Sequence, residues 1–405
     1  MVGFVFKLIS LPIIAILLAF NLRRVVLTMA ALFSPRRRSP LSENSELPTV
    51  LILVPCRDEE RVLEGLGRAL QRLIYPPDKL QMVLIDDGST DNTLPLMQQL
   101  ARENPNVRVL SLPENVGKSN ALNAALGACS FGEIVYVIDA DHRPQPNTLL
   151  ALVRYFNTPN VAGVTGRTIV SNALASPSAY YSAVESAVHQ MITMRGKDRL
   201  DLAPALLGAN CAYRRALLTQ VGGFAPGVFL EDSDLTIRLS RAGYHLRFAE
   251  EAMAHFQVPE TRIGYINQHA RWARGFNDIA SDHAQSLLCQ SNLRPLLRIE
   301  LFLFAVGYLD RIALLGAGAL TLLSVFSPRR LRFPRSILYV SLLMPLVQII
   351  ALLLEQRASR AMWLRLPFVP LFFALDVYAA MRAMLDSLLK RKRIWRRTPR
   401  SLQDW

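Results

Sequence analysis

Cysteine is scarce in this 405-residue chain, with four, at positions 56, 129, 211 and 289. They stand far apart, without paired spacing and without a histidine pattern beside them, which argues against a zinc centre or a disulfide framework. A reduced, cytosolic setting for the middle of the chain fits. Internal repeats and low-complexity tracts are also missing. No small-residue cleavage site follows the first apolar run, so that run reads as an anchor and not as a signal peptide. Acidic residues are few outside the middle. Residues 41–298 hold 24 basic and 26 acidic residues, whereas the flanks hold 22 basic and 6 acidic. A nucleic-acid-binding protein would carry its positive charge on the folded domain. Here the charge brackets apolar segments, as it does beside cytoplasmic membrane flanks. A lipid bilayer is the expected partner, and nucleic acid is not.

Apolar residues make up 51% of the chain. The opening "FVFKLISLPIIAILLAFNLRR" reads as a membrane anchor with its C-terminal end in the cytosol; residues 25–33 are too short to span and read as interfacial. Three more apolar blocks lie at 299–326, 336–354 and 362–385, separated and followed by basic clusters. If all three span, the basic tail falls on the outer side, against the positive-inside bias. An interfacial helix over 299–309 with partial insertion of 310–326 relieves this, and the span count is three to five. Asp310, Arg311, Asp376 and Arg382 read as local ion pairs or snorkelling side chains in preference to a polar path. The expected organisation is an N-terminal anchor and basic flank (1–40), a cytosolic globular domain (41–290), and C-terminal interfacial and transmembrane helices with a basic tail (291–405).

The middle alternates short apolar runs with helical spacing. "PTVLILVPC", "LQMVLIDDGS", "VRVLSL" and "EIVYVIDAD" read as strands, and 59–73, 91–103 and "GKSNALNAALGAC" as helices. This predicts an α/β fold with a mostly parallel, helix-covered sheet. Polar residues gather at the strand ends, where parallel sheets bind ligands. The fourth run ends on Asp139 and Asp141, two apart and therefore on one face of a strand. Two such carboxylates resist ionising together unless a cation lies between them; the alternatives are a solvated loop or a divalent metal holding a phosphate-bearing ligand. Asp86-Asp87 precede Gly88, which permits a tight turn, and Asp91 or Thr90 can cap the next helix. A carboxylate at Asp86 or Asp87 can accept from a nucleobase N–H. Lys118 lies just ahead of a helix, there to touch a phosphate or simply to be solvated. In "LEDSDL", Asp234 is the expected helix cap, and Asp232, with Glu231 beside it, is the candidate general base. In "INQHARW", helical spacing sets Gln268, Arg271 and Trp272 on one side. Arg271 suits a phosphate and a Trp face suits a sugar ring.

Taken in order, "PCRDEE", "IDDGSTD", "VIDADHRP", "LEDSDL" and "QHARW" resemble the signature of membrane-embedded family-two glycosyltransferases, among them cellulose, hyaluronan and poly-N-acetylglucosamine synthases. The resemblance covers 48–280. It implies a GT-A fold, a nucleotide-sugar donor, with uridine as the base, and a divalent cation, Mg2+ or Mn2+. It implies that Asp86 or Asp87 reads the base, and that Lys118 lies near the nucleotide. Asp139 faces the diphosphate, and Asp141 holds the metal with Asp139 as a second candidate ligand. Asp232 is the base, Gln268 and Arg271 grip the diphosphate, and Trp272 floors the acceptor site. His269 stands where the family usually has Gln or Arg, a departure expected to alter diphosphate contacts. Leu230 stands where many members have Thr, a departure expected to alter acceptor choice. The expected enzyme is an inverting, metal-dependent, processive hexosyltransferase. It extends a β-linked polysaccharide at the cell inner (plasma) membrane, multi-pass, with its catalytic domain cytosolic and an accessory export subunit as a candidate partner. The alternatives are transfer of one or few sugars to a membrane lipid and, from another class, a nucleotide-sensing membrane transporter.

Overall fold

The computed structural model describes residues 2–35, 46–289, 292–326 and 333–391. The basic runs at 36–38, 329–332 and 392–397 lie outside them. Helix α1 (Val2–Phe33) comes first. Then β1 (Val50–Cys56), α2 (Glu60–Gln71), β2 (Leu80–Asp87), α3 (Thr93–Glu103), β3 (Val107–Leu112), α4 (Lys118–Ala128) and β4 (Ile134–Val137) alternate. Next are β5 (Arg143–Pro144), α5 (Thr148–Val153), β6 (Val161–Val170), α6 (Pro177–Val188), α7 (Arg195–Leu200), β7 (Cys211–Arg214), α8 (Arg215–Gln220), α9 (Glu231–Arg241) and β8 (His245–Phe256). Six helices follow: α10 (Arg262–Cys289), α11 (Pro295–Ala305), α12 (Leu309–Val325), α13 (Arg335–Glu355), α14 (Arg360–Leu364) and α15 (Val369–Leu388). Two compact units result. One is a sheet unit, Pro35–Ser171 with Lys197–Val258; the other is a helical unit built from α1, Asn172–Gly196 and α10–α15.

The sheet unit holds eight strands in the order β3-β2-β1-β4-β7-β6-β8-β5. Pairs β1–β2, β2–β3, β1–β4 and β6–β8 are parallel, and β4–β7, β6–β7 and β5–β8 are antiparallel. The expected mostly parallel sheet is therefore present, and its first four strands are the four apolar runs. Strand β1 is buried along nearly its whole length, as a central strand covered on both faces must be. Leu63, Leu66 and Leu70, at i, i+3 and i+7 of α2, join its core. Each such burial stabilises by roughly 1.5–3 kcal/mol. Register sets Cys56 beside Asp86 and Asp86 beside Ser111, so three strand ends finish level with one another.

One expectation fails here. Strand β4 stops at Val137, and Asp139 and Asp141 lie in the turn beyond it, where the His142 N–H donates to the Asp139 carbonyl at 3.0 Å. The chain bends at this point because Arg143 and Pro144 pair with His255 and Ala254 of β8. Strand alternation therefore does not orient the two carboxylates.

In the helical unit α1 runs unbroken through 25–33, which corrects the reading of that stretch as a separate interfacial piece. Interhelical polar contacts hold this half of the helix. Arg23 makes a bidentate pair with Glu300 at 2.8 and 2.7 Å, Arg24 pairs with Asp310, and Gln348 donates to the Thr28 hydroxyl at 2.9 Å. Helices α11 and α12 meet at a break bent by 70°. Among the described residues three helices are long and apolar enough to cross a membrane (Phe6–Phe33, Arg335–Glu355 and Arg360–Leu388), or four if the bent pair counts as one span. Arg311 pairs with Asp310 at 2.9 Å and with Asp376 at 3.0 Å, so these charges form the local pairs that the sequence suggested.

Candidate active site

The site grows from the level ends of β1 and β2. Asp87, at the end of β2, is buried and fully engaged. Its carboxylate accepts from the Val116 N–H at 2.7 Å, the Gly117 N–H at 3.0 Å and the Asn115 side-chain amide at 2.7 Å. Gly88, at φ +67°, lets that loop approach, since a Cβ there would lie 2.8 Å from the Asn115 nitrogen. Asp86 is also buried but less committed: the Ser89 N–H donates to one oxygen at 3.1 Å and the Ser111 hydroxyl to the other at 3.4 Å. The turn after β1 locks onto the same loop. Asp58, held at φ +54°, accepts from the Thr90 N–H at 2.7 Å and donates its own N–H to the Ser89 hydroxyl at 3.0 Å. Asp91 accepts from the Thr93 N–H at 2.9 Å, while the N-cap residue of α3 is Asn92 and not the expected Asp91 or Thr90.

Lys118, the first residue of α4, ties several carboxylates together. Its ammonium lies 2.8 Å from Asp139 and 3.1 Å from Glu231, and donates to the Gly208 carbonyl at 2.9 Å. Burial alone would lower its pKa; the attraction of Asp139 and Glu231 outweighs this and holds it above the ordinary lysine value. Lys118 is thus paired with carboxylates while its side chain stays partly exposed. In the turn after β4, His142 Nδ1 is 2.9 Å from an Asp141 oxygen, and its ring stacks on Phe256 with centroids 5.0 Å apart. One ligand atom from each of Asp139, Asp141 and His142 lies within 4.8 Å of the others. The sequence reading named both aspartates and passed over His142, although Asp-x-Asp-His is a compact donor spacing.

Asp232 stands at the start of α9. Burial, followed by repulsion from Glu231, pushes its carboxyl up to about 7; Lys118 and the Ser233 N–H, which donates at 2.6 Å, oppose the rise. Asp234 does not cap the helix as expected. It pairs with Arg238 at 2.6 Å, and Arg238 in turn holds the carbonyls of Val221 and Gly223. Leu230 is the N-cap residue and offers no side-chain hydrogen bond to the helix.

A second residue that the sequence reading missed is Gly208. It sits at φ +68°, and a Cβ there would lie 2.8 Å from an Asp232 oxygen and 3.3 Å from a Glu231 oxygen. Gly208→Ala therefore strains the backbone and presses on both carboxylates. Turnover is expected to fall about 100-fold, as for an ångström-scale displacement of a reacting group. Steady-state rates and a melting curve check this: wild-type turnover would show that the Asp232 carboxylate has room to move.

Gln268, Arg271 and Trp272 lie on α10, in the helical unit. The Gln268 side-chain oxygen is buried without a hydrogen-bond partner among the described residues. His269 is not turned to a phosphate. It is 1% exposed, with Nε2 at 2.8 Å from Glu185 and Nδ1 at 3.0 Å from the Tyr265 carbonyl. Both ring nitrogens are spent inside the helical unit, so His269 offers neither of them to a phosphate directly.

A family model described as "Glycosyltransferase like family 2" matches residues 48–275, over half of the chain. The chain belongs to glycosyltransferase family 2. Among related glycosyltransferases, the probable glycosyltransferase YdaM of Bacillus subtilis is 32% identical over 57% of this chain and 56% of its own length. A β-monoglucosyldiacylglycerol synthase of Trichormus variabilis is 30% identical over 61% of this chain and 53% of its own. A poly-β-1,6-N-acetyl-D-glucosamine synthase of Staphylococcus aureus is 27% identical over 58% of this chain and 56% of its own. The chain thus spans about half the length of these curated relatives. A solved mannosyltransferase of Pyrobaculum calidifontis, in complex with GDP-Man and Mn2+, superposes over 97% of this chain with a TM-score of 0.67 at 21% identity. The likeness shows the GT-A fold.

Proposed function

We propose that this glycosyltransferase moves a sugar from a UDP-sugar to the end of a β-linked polysaccharide at a membrane, inverting the anomeric centre and extending the chain processively. One observation carries the reading: Asp232, a carboxyl pushed up to about 7, lies in a cluster where Lys118 already ties Glu231 to Asp139. A base with a pKa near the working pH is suited to take a hydroxyl proton. Asp232 takes the proton of the acceptor hydroxyl as that hydroxyl's oxygen bonds to the anomeric carbon, and the bond from that carbon to the diphosphate oxygen breaks. The nucleoside diphosphate leaves with the bonding pair, and attack from the opposite face turns an α-linked donor into a β-linkage.

Lys118 lies beside the leaving diphosphate and offsets its charge. Gln268 and Arg271 are assigned to the donor diphosphate and Trp272 to the acceptor, on the strength of the Gln-x-x-Arg-Trp pattern. Asp86 reads the base, because the Asp87 oxygens already take three donors from Asn115–Gly117. Asp139, Asp141 and His142 fit a divalent cation, and two carboxylates with one imidazole favour Mn2+ over Mg2+. A cation held there supplies a Lewis acid to the departing diphosphate. The apolar helices and the poly-N-acetylglucosamine synthase relative support a polymer product made at a cell inner membrane by a multi-pass enzyme with its catalytic domain cytosolic. A second reading, one or few sugars added to a membrane lipid, is favoured by the monoglucosyldiacylglycerol synthase relative.

The test is a radiolabel screen of UDP- and GDP-sugars against the full-length protein in membranes, with product length read on a gel. A UDP-sugar is expected to label a ladder of polymer. A single lipid-soluble product would move the assignment to glycolipid synthesis, and labelling from a GDP-sugar alone would overturn the base assignment.

A further inference from the structure

The helical unit carries a partly buried chain of charges that the transfer reaction does not use. Glu185 on α6 meets His269 on α10, and one ligand atom from each of Glu185, His269 and Asp376 lies within 4.8 Å of the others. Asp376 on α15 pairs with Arg311 on α12 at 3.0 Å, Arg311 pairs with Asp310, and Asp310 pairs with Arg24 on α1. The two nitrogens of His269 face the Glu185 carboxylate and the Tyr265 carbonyl, an arrangement in which an imidazolium donates to both. Burial alone would lower its pKa; Glu185 outweighs this and holds it above the ordinary histidine value. The Tyr265 ring, itself fully buried, stacks on the imidazole at 3.8 Å between centroids. With His269 protonated, the chain of charges alternates in sign from Glu185 to Arg24 and needs no further counterion.

We propose that the Glu185–His269 pair is a positioning device that fixes the rotation of α10 about its axis, and through it the direction in which Gln268 and Arg271 leave the helix. The inference rests on the assignment of those two residues to the diphosphate. Helix geometry gives it force. Successive side chains turn by about 100°, so Gln268, Arg271 and Trp272 share one face and His269 points about a quarter turn away. A pin at that angle resists rolling of the helix in a way that a contact on the far side of the motif face does not. His269 is the buried member of the pair, so removing Glu185 leaves a costly lone charge, which suits the pair to hold a unique arrangement.

The experiment uses the full-length protein in nanodiscs. UDP, GDP and the matching monophosphates, each with Mn2+, are titrated into wild type, Arg271→Ala, His269→Ala, His269→Gln and Glu185→Gln, and each variant is melted. The readout is the affinity ratio of diphosphate to monophosphate for the base that binds, which isolates the β-phosphate from the rest of the nucleotide. Arg271→Ala is expected to cut the ratio about tenfold or more, as loss of a charge-assisted phosphate contact does. His269→Ala and Glu185→Gln are expected to cut it about five- to tenfold, the size of a modest coupling between sites. His269→Gln, which can still hydrogen-bond Glu185, is expected to recover it to within about threefold. A lowered melting temperature with an unchanged ratio in His269→Ala and Glu185→Gln would reduce the pair to ordinary packing and overturn the proposal. If Glu185→Gln does not fold, the His269→Ala and His269→Gln comparison decides alone. An unchanged ratio in Arg271→Ala would instead overturn the diphosphate assignment beneath it.

Discussion

Asp232→Asn is expected to lower turnover about 1,000-fold, within the range a positioned general base contributes. The substitution keeps the size of the side chain and the hydrogen bond from the Ser233 N–H, which reaches the present carboxylate at 2.6 Å. It removes the capacity to take a proton. Donor affinity should change little, because Lys118 and Asp139 keep their contact at 2.8 Å. The loss therefore belongs in kcat and not in the donor KM. Steady-state kinetics with the donor identified by the radiolabel screen measure both. Near wild-type kcat in Asp232→Asn would remove this residue from the base role and leave Glu231 as the next carboxylate to test.

The same residue fixes the pH profile. An unperturbed Asp titrates at about 3.9. Burial and Glu231 push Asp232 up to about 7, and the base works only when deprotonated. The rate should thus hold level above neutrality and fall with decreasing pH, by about tenfold per unit below pH 7. An acid limb near pH 4 would show that neither burial nor Glu231 raises the Asp232 carboxyl in the working enzyme, and would remove the basis of this profile. Asp232→Asn should flatten the limb on whatever activity remains.

The strands that build the site were legible because each is a compact apolar run ending in polar residues, a pattern only a covered parallel strand requires. The other half of the sheet was not. Strand β5 has two residues and β7 four, too few for any period, and β8, "HLRFAEEAMAHF", interrupts its alternation with acids. That gap explains the misplaced Asp139 and Asp141: without β5 and β8 nothing forces the chain to turn after Val137. Asp86 and Asp87 were indistinguishable in sequence because the donors that saturate Asp87 come from Asn115–Gly117, on another loop. Gly208 offered no local signal at all, since its left-handed backbone matters only where Asp232 comes to lie against it. His269 looked like a motif variant; what it does depends on Glu185, 84 residues away along the chain.

Removing divalent cations is expected to lower turnover by about 1,000-fold, the several kcal/mol that Lewis-acid support of a leaving diphosphate supplies. The residues suggest which substitutions should copy the effect. Asp139 is shared with Lys118, whereas Asp141 meets His142, the third candidate ligand. Asp141→Asn should therefore come nearest to full chelation, and added Mn2+ should restore part of the rate if the variant has only lost affinity. Turnover that survives thorough chelation would undo the cation reading of Asp139, Asp141 and His142 together. His142→Ala separates a ligand from a packing residue. As a ligand, His142 contributes the one nitrogen donor of the set, so its loss should narrow the preference for Mn2+ over Mg2+. As a packing partner of Phe256, its loss should lower the melting temperature and leave the Mn2+ to Mg2+ rate ratio at the wild-type value.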